Sequence, residues 1–418
     1  MKDFDIIIAG GGMVGSTAAI ALAELGLKVA LIEPVQPEHN TSPSFDQRAV
    51  ALSAASVSIF KSLGVWDKLK PFAERISKIH VSDKGHFGFA RIDAEDYQVE
   101  ALGEVIPLDQ TGPALWQMIE KCDNIKTFCP FNLVRIGTLE EHVRDRTIEV
   151  GISDLSGQEL TLSAKLLLGS DGTFSTVAKL AGIESHRNEY QQHAIIANIS
   201  TDQPHQNRAF ERFTKNGPIA LLPLTRNRMS LVWCHNPESC DAVMQYDDQL
   251  FIQQLQAHFG YRLGLINKVG SRYQYPLALH IAKKPFGERV LLLGNSAHTL
   301  HPIAGQGFNI GLRDVAALRD AIELSIKCCK SDFGSYEFIK CYQESRQSDW
   351  DRTILATDAL VRVFSHEFLP IVLARNKALS ILDKIPFIKE QLARSAMGLT
   401  GVSAKLTRGI KLSDERLE

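Results

Sequence analysis

Three stretches of the chain, residues 4–9, 164–169 and 289–294, are apolar at most positions and run into glycine. Apolar runs of this length belong to strands covered on both faces, the signature of a parallel sheet. After the first run, residues 13–25 are rich in Ala and Leu and read as a helix, and residues 28–33 read as a second strand. Strand, tight turn, helix, strand is a βαβ unit, and its strands run parallel. A long helix, roughly 307–327, follows the third run. Residues ~185–278 differ: runs at 193–200, 208–214, 219–224 and 228–235 are short, β-like and broken by Pro, Gly and Asn. They predict a second, antiparallel sheet, joined by a piece near 79–92. From about residue 345 the pattern is helical, interrupted by Pro370 and Pro386.

The expected architecture is therefore α/β. A Rossmann-like domain is assembled from residues 1–78, 93–184 and 279–344. An antiparallel β-sheet domain (79–92 and 185–278) is inserted in it, and 345–418 form a C-terminal helical region. Composition changes this picture little. Forty-four per cent hydrophobic and 22% charged residues suit a folded globular enzyme. With 46 Lys+Arg against 48 Asp+Glu, the net charge of −2 argues against nucleic-acid binding. Seven cysteines without a Cys-x-x-Cys pair make neither a disulfide framework nor a structural zinc site. No apolar run approaches the ~20 residues of a membrane span, and a cytoplasmic location is expected.

The turn after the first strand, Gly10-Gly11-Gly12-Met13-Val14-Gly15, fits G-x-G-x-x-G. Gly10 permits the turn, Gly12 lets a pyrophosphate approach the backbone, and Gly15 lets the helix pack on the sheet. The helix start then offers free N–H groups to the phosphates. Glu33, ending the second strand, has the type and spacing to accept hydrogen bonds from ribose hydroxyls. An acid there repels a 2′-phosphate, so the nucleotide is FAD or NAD rather than NADP. The motif alone does not separate those two.

Two further motifs follow the other apolar runs. One is Gly169-Ser170-Asp171-Gly172-Thr173-Phe174-Ser175. The other is Gly294-Asn295-Ser296-Ala297-His298, continuing through Pro302 to Gly305-Gln306-Gly307-Phe308-Asn309-Ile310-Gly311 and Asp314. In this order, the three motifs resemble the single-component FAD-dependent aromatic hydroxylases, the para-hydroxybenzoate hydroxylase-like family. Phe45-Asp46-Gln47-Arg48-Ala49-Val50-Ala51-Leu52, Val81-Ser82-Asp83-Lys84-Gly85-His86 and Ala209-Phe210-Glu211-Arg212-Phe213-Thr214 are similar to its ubiquinone-biosynthesis branch.

The resemblance implies an FAD-dependent monooxygenase that hydroxylates a polyprenyl-methoxyphenol through a flavin C4a-hydroperoxide, with O2 and NADPH or NADH. It places Gly10, Gly12 and Gly15 at the FAD pyrophosphate and Glu33 at the adenosine ribose. Arg48 lies toward the flavin, with Gln110 nearby, and Asp171 serves both the FAD and the passing nicotinamide. Pro302 lines the isoalloxazine ring, and Gly305, Gln306, Gly307 and Asn309 wrap its pyrimidine end. The family usually has Gly-Asp where this chain has Gly294-Asn295, and an amide accepts hydrogen bonds only through its carbonyl oxygen. Weaker flavin holding follows. With one dinucleotide fingerprint in the chain, the reduced nicotinamide is expected to dock briefly and leave. Two alternatives stay open: a sister hydroxylase acting on another ring position or another phenol, and a non-hydroxylating FAD-carrying scaffold of a biosynthetic complex.

No catalytic base is identifiable from the sequence, and no metal site is expected. His298 and His301 lack a third ligand at suitable spacing. Tyr97, Trp116 and Trp233 fit core positions better than a pocket wall. Cys328-Cys329, Cys234 and Cys240 read as ordinary thiols. Residues 371–412 carry eight basic residues against Asp383 and Glu390, +6 in a chain of net −2, with apolar residues interleaved. Such a surface suits either packing on the protein with a solvated face or peripheral contact with an anionic membrane or a partner. A bilayer-dwelling polyprenylated substrate tips the balance toward contact.

Overall fold

In the computed structural model of the chain, residues 3–35, 48–137, 146–328, 332–365, 368–400 and 404–410 are described. Phe45, Asp46, Gln47 and Cys329, singled out above, and residues 401–403 and 411–412 of the basic stretch lie outside them. The chain opens with β1 (Ile6–Ala9), α1 (Met13–Ala23) and β2 (Val29–Ile32), then β3 (Ala49–Ser53) and α2 (Ala54–Ser62). β4 (Lys78–Asp83), β5 (Phe89–Asp93), β6 (Gly103–Pro107), β7 (Ile125–Phe128) and β8 (Leu166–Gly169) follow. Next come β9 (Ser185–Thr201), β10 (Arg208–Thr214), β11 (Gly217–Leu224), β12 (Arg228–His235), α3 (Asp248–Phe259) and β13 (Tyr273–Ala282). β14 (Val290–Leu292) leads into α4 (Gln306–Lys327), α5 (Tyr336–Ser365), α6 (Leu369–Lys384) and α7 (Pro386–Ala396).

The apolar runs assemble one sheet in the order β14–β8–β1–β2–β7, parallel throughout, with the two-residue strand Phe286–Gly287 antiparallel on its edge. β1, β2 and β8 are buried at every position, which is why they are apolar at every position rather than at alternate ones. Ala9 lies opposite Gly169 and Ile32, and Gly169 opposite Leu292. The strands thus end level, and the loops after them leave from one edge, where open α/β sheets bind ligands.

The second sheet runs His298–Thr299, β13, β9, β12, β11, β10, β4, β5. It is antiparallel with one exception to the sequence expectation: β4 pairs with β10 in parallel. β4 arrives from a segment 130 residues earlier in the chain (Arg212 opposite Ser82) rather than through a hairpin. β9 is longer than its apolar part, because residues 185–189 are polar and exposed yet pair with β13. α3 packs its buried Phe251, Leu255 and Phe259 on one face of this sheet with Phe210, Leu221 and Leu231. The other face looks onto β3, the start of β6 and the segment leading into α4.

Pro370 and Pro386 lie in the first turns of α6 and α7, where a missing N–H costs nothing. They mark helix starts, and α5 begins at Tyr336, before the expected 345. Among the described residues no helix is long and apolar enough to cross a membrane.

Candidate active site

The three glycine motifs meet at the level edge of the parallel sheet through contacts that only small residues allow. Gly10 has φ +99°, and a side chain on it would strike the Ser170 backbone. A Cβ on Gly15 would overlap the Gly10 carbonyl oxygen and Ser170 Oγ, while Ser170 Oγ donates to the carbonyls of Ala9 and Gly10, 2.9 Å each. Gly294 (φ +59°) lies against Val14, and a Cβ on Gly311 would sit 3.0 Å from Gly294 Cα. Gly12 is the contrast: a Cβ built there meets nothing within 4 Å. That open space lies before the first turn of α1, which has neither a side-chain cap nor an acidic residue. The cradle fits a dinucleotide pyrophosphate.

Glu33 reaches across from β2, and its Oε2 accepts from Gly11 N at 2.5 Å. Asp171 turns inward instead. Its Oδ1 accepts from Ser175 Oγ (2.6 Å) and Ser296 Oγ (3.1 Å), and its Oδ2 from Val177 N (3.1 Å), joining the second and third motifs. Asn309 is equally committed: Oδ1 accepts from Ser53 N and Ser56 Oγ, and Nδ2 donates to the carbonyls of Ala51 and Gly305. It fixes the turn that opens α4, whose N-cap Gly305 is left-handed at φ +61°.

Beside this turn lies a cavity of ≈ 510 Å³. Arg48, Asn295, Pro302, Gly305, Gln306, Gly307 and Asn309 all line it. Arg48 lies over the Tyr275 ring at 5.2 Å. Gln110 is not among the lining residues, and its amide meets Asp109 at 3.3 Å. Gly10, Gly12, Gly15, Glu33 and Asp171 surround the sheet edge instead. Of the thirteen sequence-chosen residues, five thus gather at the sheet edge and seven at the cavity, with Gln110 outside both.

The opposite wall of the cavity is the second sheet, and sequence reasoning missed its chemistry. Ala90, Val81, Glu211, Ala220, Val232 and Ile196 are cross-strand neighbours in one row, and all six line the cavity. Glu211 Oε1 is buried and has no hydrogen-bond partner. Burial pushes its carboxyl up to about 8. The signal was present in the β-run: Ala209, Glu211 and Phe213 share one face, and a charged residue there breaks the apolar side. His301, also at the cavity, accepts from Ile303 N through Nδ1, leaving Nε2–H for Gln192 Oε1. Burial holds its imidazole down to about 4, hence neutral. Trp116 lies under the first glycine turn, donating to the Gly11 carbonyl, and Trp233 is buried beside Phe251 under α3.

The helical region closes the cavity's remaining side through Leu360, Phe364, Leu379, Leu392 and Ala396. Arg375 pairs with Asp83 at 2.9 Å, Lys389 with Asp96 at 3.0 Å and Lys405 with Glu323 at 3.2 Å. Packing on the protein therefore accounts for part of the basic tail. Leu373, Ile381, Ile385, Phe387 and Ile388 remain exposed, Phe387 by 69%, beside exposed Lys377 and Lys384.

A parallel nucleotide-binding sheet, an antiparallel second sheet and a cavity between that second sheet and the segment following β14 make up a flavoprotein monooxygenase fold. The p-nitrophenol 4-monooxygenase PnpA of Pseudomonas putida DLL-E4 shares it, with a TM-score of 0.73 at 18% identity over 96% of this chain and 99% of that one. Residues 3–347 match the FAD binding domain family, to which the chain belongs; it is a flavin-dependent aromatic monooxygenase. Ubiquinone hydroxylase UbiL of Rhodospirillum rubrum is 31% identical over 98% of this chain and 94% of its own length. The 3-demethoxyubiquinol 3-hydroxylase of Escherichia coli K12 is 32% identical over 94% and 98% respectively.

Proposed function

We propose that the chain hydroxylates a polyprenylated phenol of ubiquinone biosynthesis, using FAD, O2 and a transiently docked NADPH or NADH. The carrying observation is the cavity itself: a polar floor of Arg48, Asn295 and the 305–309 turn faces an apolar sheet wall. Relatives named as ubiquinone-pathway hydroxylases across nearly the full length support the substrate class. We propose the domain division given by the sequence, with the cavity under its second sheet.

FAD, when bound, activates dioxygen for insertion into an electron-rich ring, chemistry that no side chain supplies. The protein binds, orients and excludes water. Gly10, Gly12 and Gly15 with the α1 N-terminus hold the pyrophosphate, and Glu33 the ribose. Gln306 and Gly307, which open α4, line the cavity, and the positive end of that helix would stabilise negative charge at the flavin ring. Asp171 and Asn309 act one step back, fixing the loops. The apolar row of the sheet keeps water from the reacting ring.

The phenol's prenyl tail leaves past Phe364, Leu379 and Leu392 toward the exposed apolar face of α6 and α7. That face, with Lys377 and Lys384, rests on an anionic lipid surface, because Leu392 of α7 both lines the cavity and is exposed, and the lysines carry the complementary charge. The protein is then cytoplasmic and peripheral. Incubating the holoenzyme with phenols representing successive pathway stages, and locating the new hydroxyl by tandem mass spectrometry, tests the assignment. One ring position is expected; no ring-hydroxylated product from any of them overturns it.

A further inference from the structure

Glu211 is out of place in the wall that carries it. Its five neighbours in the cross-strand row are Ala, Val or Ile, so the position is built for an apolar side chain. Burying a carboxyl without a hydrogen-bond partner costs on the order of 1–3 kcal/mol, and nothing in the sheet recovers that cost. The adjacent Arg212 belongs to the other face, where its guanidinium donates to the His258 carbonyl and to Ser82 Oγ. The ionisable groups around the cavity do not neutralise the acid either. Cys234, on β12, is a thiol kept protonated by burial. His301, from the loop before α4, is neutral. Tyr275, on β13, lies under the Arg48 guanidinium. Among the described residues no salt bridge reaches Glu211.

An unsatisfied acid facing a cavity is completed by whatever fills the cavity. The floor opposite, from Asn295 to Asn309, is where the flavin ring is assigned, so the wall side receives the aromatic substrate. A phenol offers one hydroxyl and an otherwise apolar ring, the same chemistry as one carboxyl in an apolar row. We propose that Glu211 binds the phenolic hydroxyl of the substrate and takes its proton as the ring is oxygenated. This rests on the hydroxylase reading above and adds the residue it lacked.

The phenol O–H donates to ionised Glu211. The ring carbon ortho or para to it forms a C–O bond with its π electrons as the O–O bond of the activated dioxygen breaks, the other oxygen leaving with that bond's electron pair and ending as water. The phenolic O–H bond breaks, its proton goes to the Glu211 carboxylate, and the ring oxygen becomes a carbonyl. The hydrogen on the attacked carbon then leaves as a proton to water. Glu211 returns its proton to the carbonyl oxygen, restoring both the aromatic ring and the carboxylate.

Two measurements on the holoenzyme test this. The first compares binding of phenol with that of its methyl ether, anisole, which cannot donate. Above pH 8, where the carboxyl is ionised, wild type is expected to prefer phenol by ~10-fold or more, the usual weight of a hydrogen bond to a charged group, and E211Q, whose neutral amide oxygen is a weaker acceptor, to keep only a small part of that preference. The second is the pH profile of ring hydroxylation. It should rise through about pH 8 in wild type, in keeping with the carboxyl's position, and lose that limb in E211Q, with E211D restoring it in part. The melting temperature supplies a folding check, since E211Q should fold and lose less stability than wild type between pH 4.5 and 8. An E211Q enzyme with unchanged phenol preference and an unchanged profile overturns the assignment. Loss of the preference, with no hydroxylated product even from wild type, keeps the binding role and overturns the hydroxylase reading instead.

Discussion

At the residue scale, two glycines of one motif do different work, and substitution separates them. Gly12→Val should leave the fold intact, because its Cβ enters open space, yet abolish FAD retention by filling the pyrophosphate cradle. Flavin absorbance against an unchanged far-ultraviolet circular dichroism spectrum reads this out. Gly15→Val should fail to fold, since its Cβ would overlap backbone and Ser170 Oγ. Asn295→Asp should tighten FAD retention, since a carboxylate offers more acceptors than an amide; equal occupancy after gel filtration would remove that role. The glycines were legible because their requirement is steric and local. Glu211 and the full role of Asn309 were not. Asn309 acts on Ser53 and Ser56, more than 250 residues away, and Glu211, though it breaks the apolar face of its own strand, gains its meaning from the register that surrounds it with five apolar neighbours.

Elements are tied together where the cavity floor meets the helical region. Asp314 on α4 accepts from Arg346 Nε and Trp350 Nε1 on α5, 2.8 Å each, and Arg313 pairs with Asp349 at 2.9 Å. Burial raises the Asp314 carboxyl against the opposing pull of Arg346. At Asp349 burial acts upward too, but Arg313 and Arg346 outweigh it and hold the carboxyl low. Breaking such a buried network typically costs ~3–5 kcal/mol. Asp314→Ala should therefore lower the denaturation midpoint sharply and loosen FAD, since α4 would lose its buried tie to Arg346 and Trp350 on α5. On the outer face of α6 and α7, Phe387→Ser with Ile388→Ser should reduce sedimentation with anionic vesicles without altering the melting temperature. Binding that is absent in the parent protein would rule that contact out. Helices and buried strands were legible because apolar periodicity reports burial directly. The polar first half of β9 and the parallel β4–β10 pair were not, because strand partners far apart in the chain leave no local pattern.

Across the whole molecule, buried ionisable groups set an acid and an alkaline limit. His298 and His301 are held down to about 4 by burial. His80 is held there by burial and neighbouring arginines, and His235 by burial and His258. Between about pH 6.5 and 4 the unfolded chain takes up protons that the folded one refuses, so stability falls as pH falls. For the two most buried imidazoles the loss is on the order of 3 kcal/mol each. Glu211, raised to about 8 by burial, and Glu104, raised to about 7 mainly by burial, act in reverse. The folded state keeps protons that the unfolded one releases, so stability falls as pH rises from about 4.5 through 8. Melting temperatures should pass through a maximum between these limits, with the alkaline side flattened in E211Q.

The cavity under the second sheet, on this account, brings an aromatic ring to a flavin that activates dioxygen. Mass analysis of the phenolic product formed under isotopically labelled dioxygen tests it most directly, with FAD-loaded protein and reduced nicotinamide present. One labelled oxygen atom on the ring is the expected result. A product whose new oxygen comes from water, or nicotinamide oxidation with an unchanged phenol, would contradict the account.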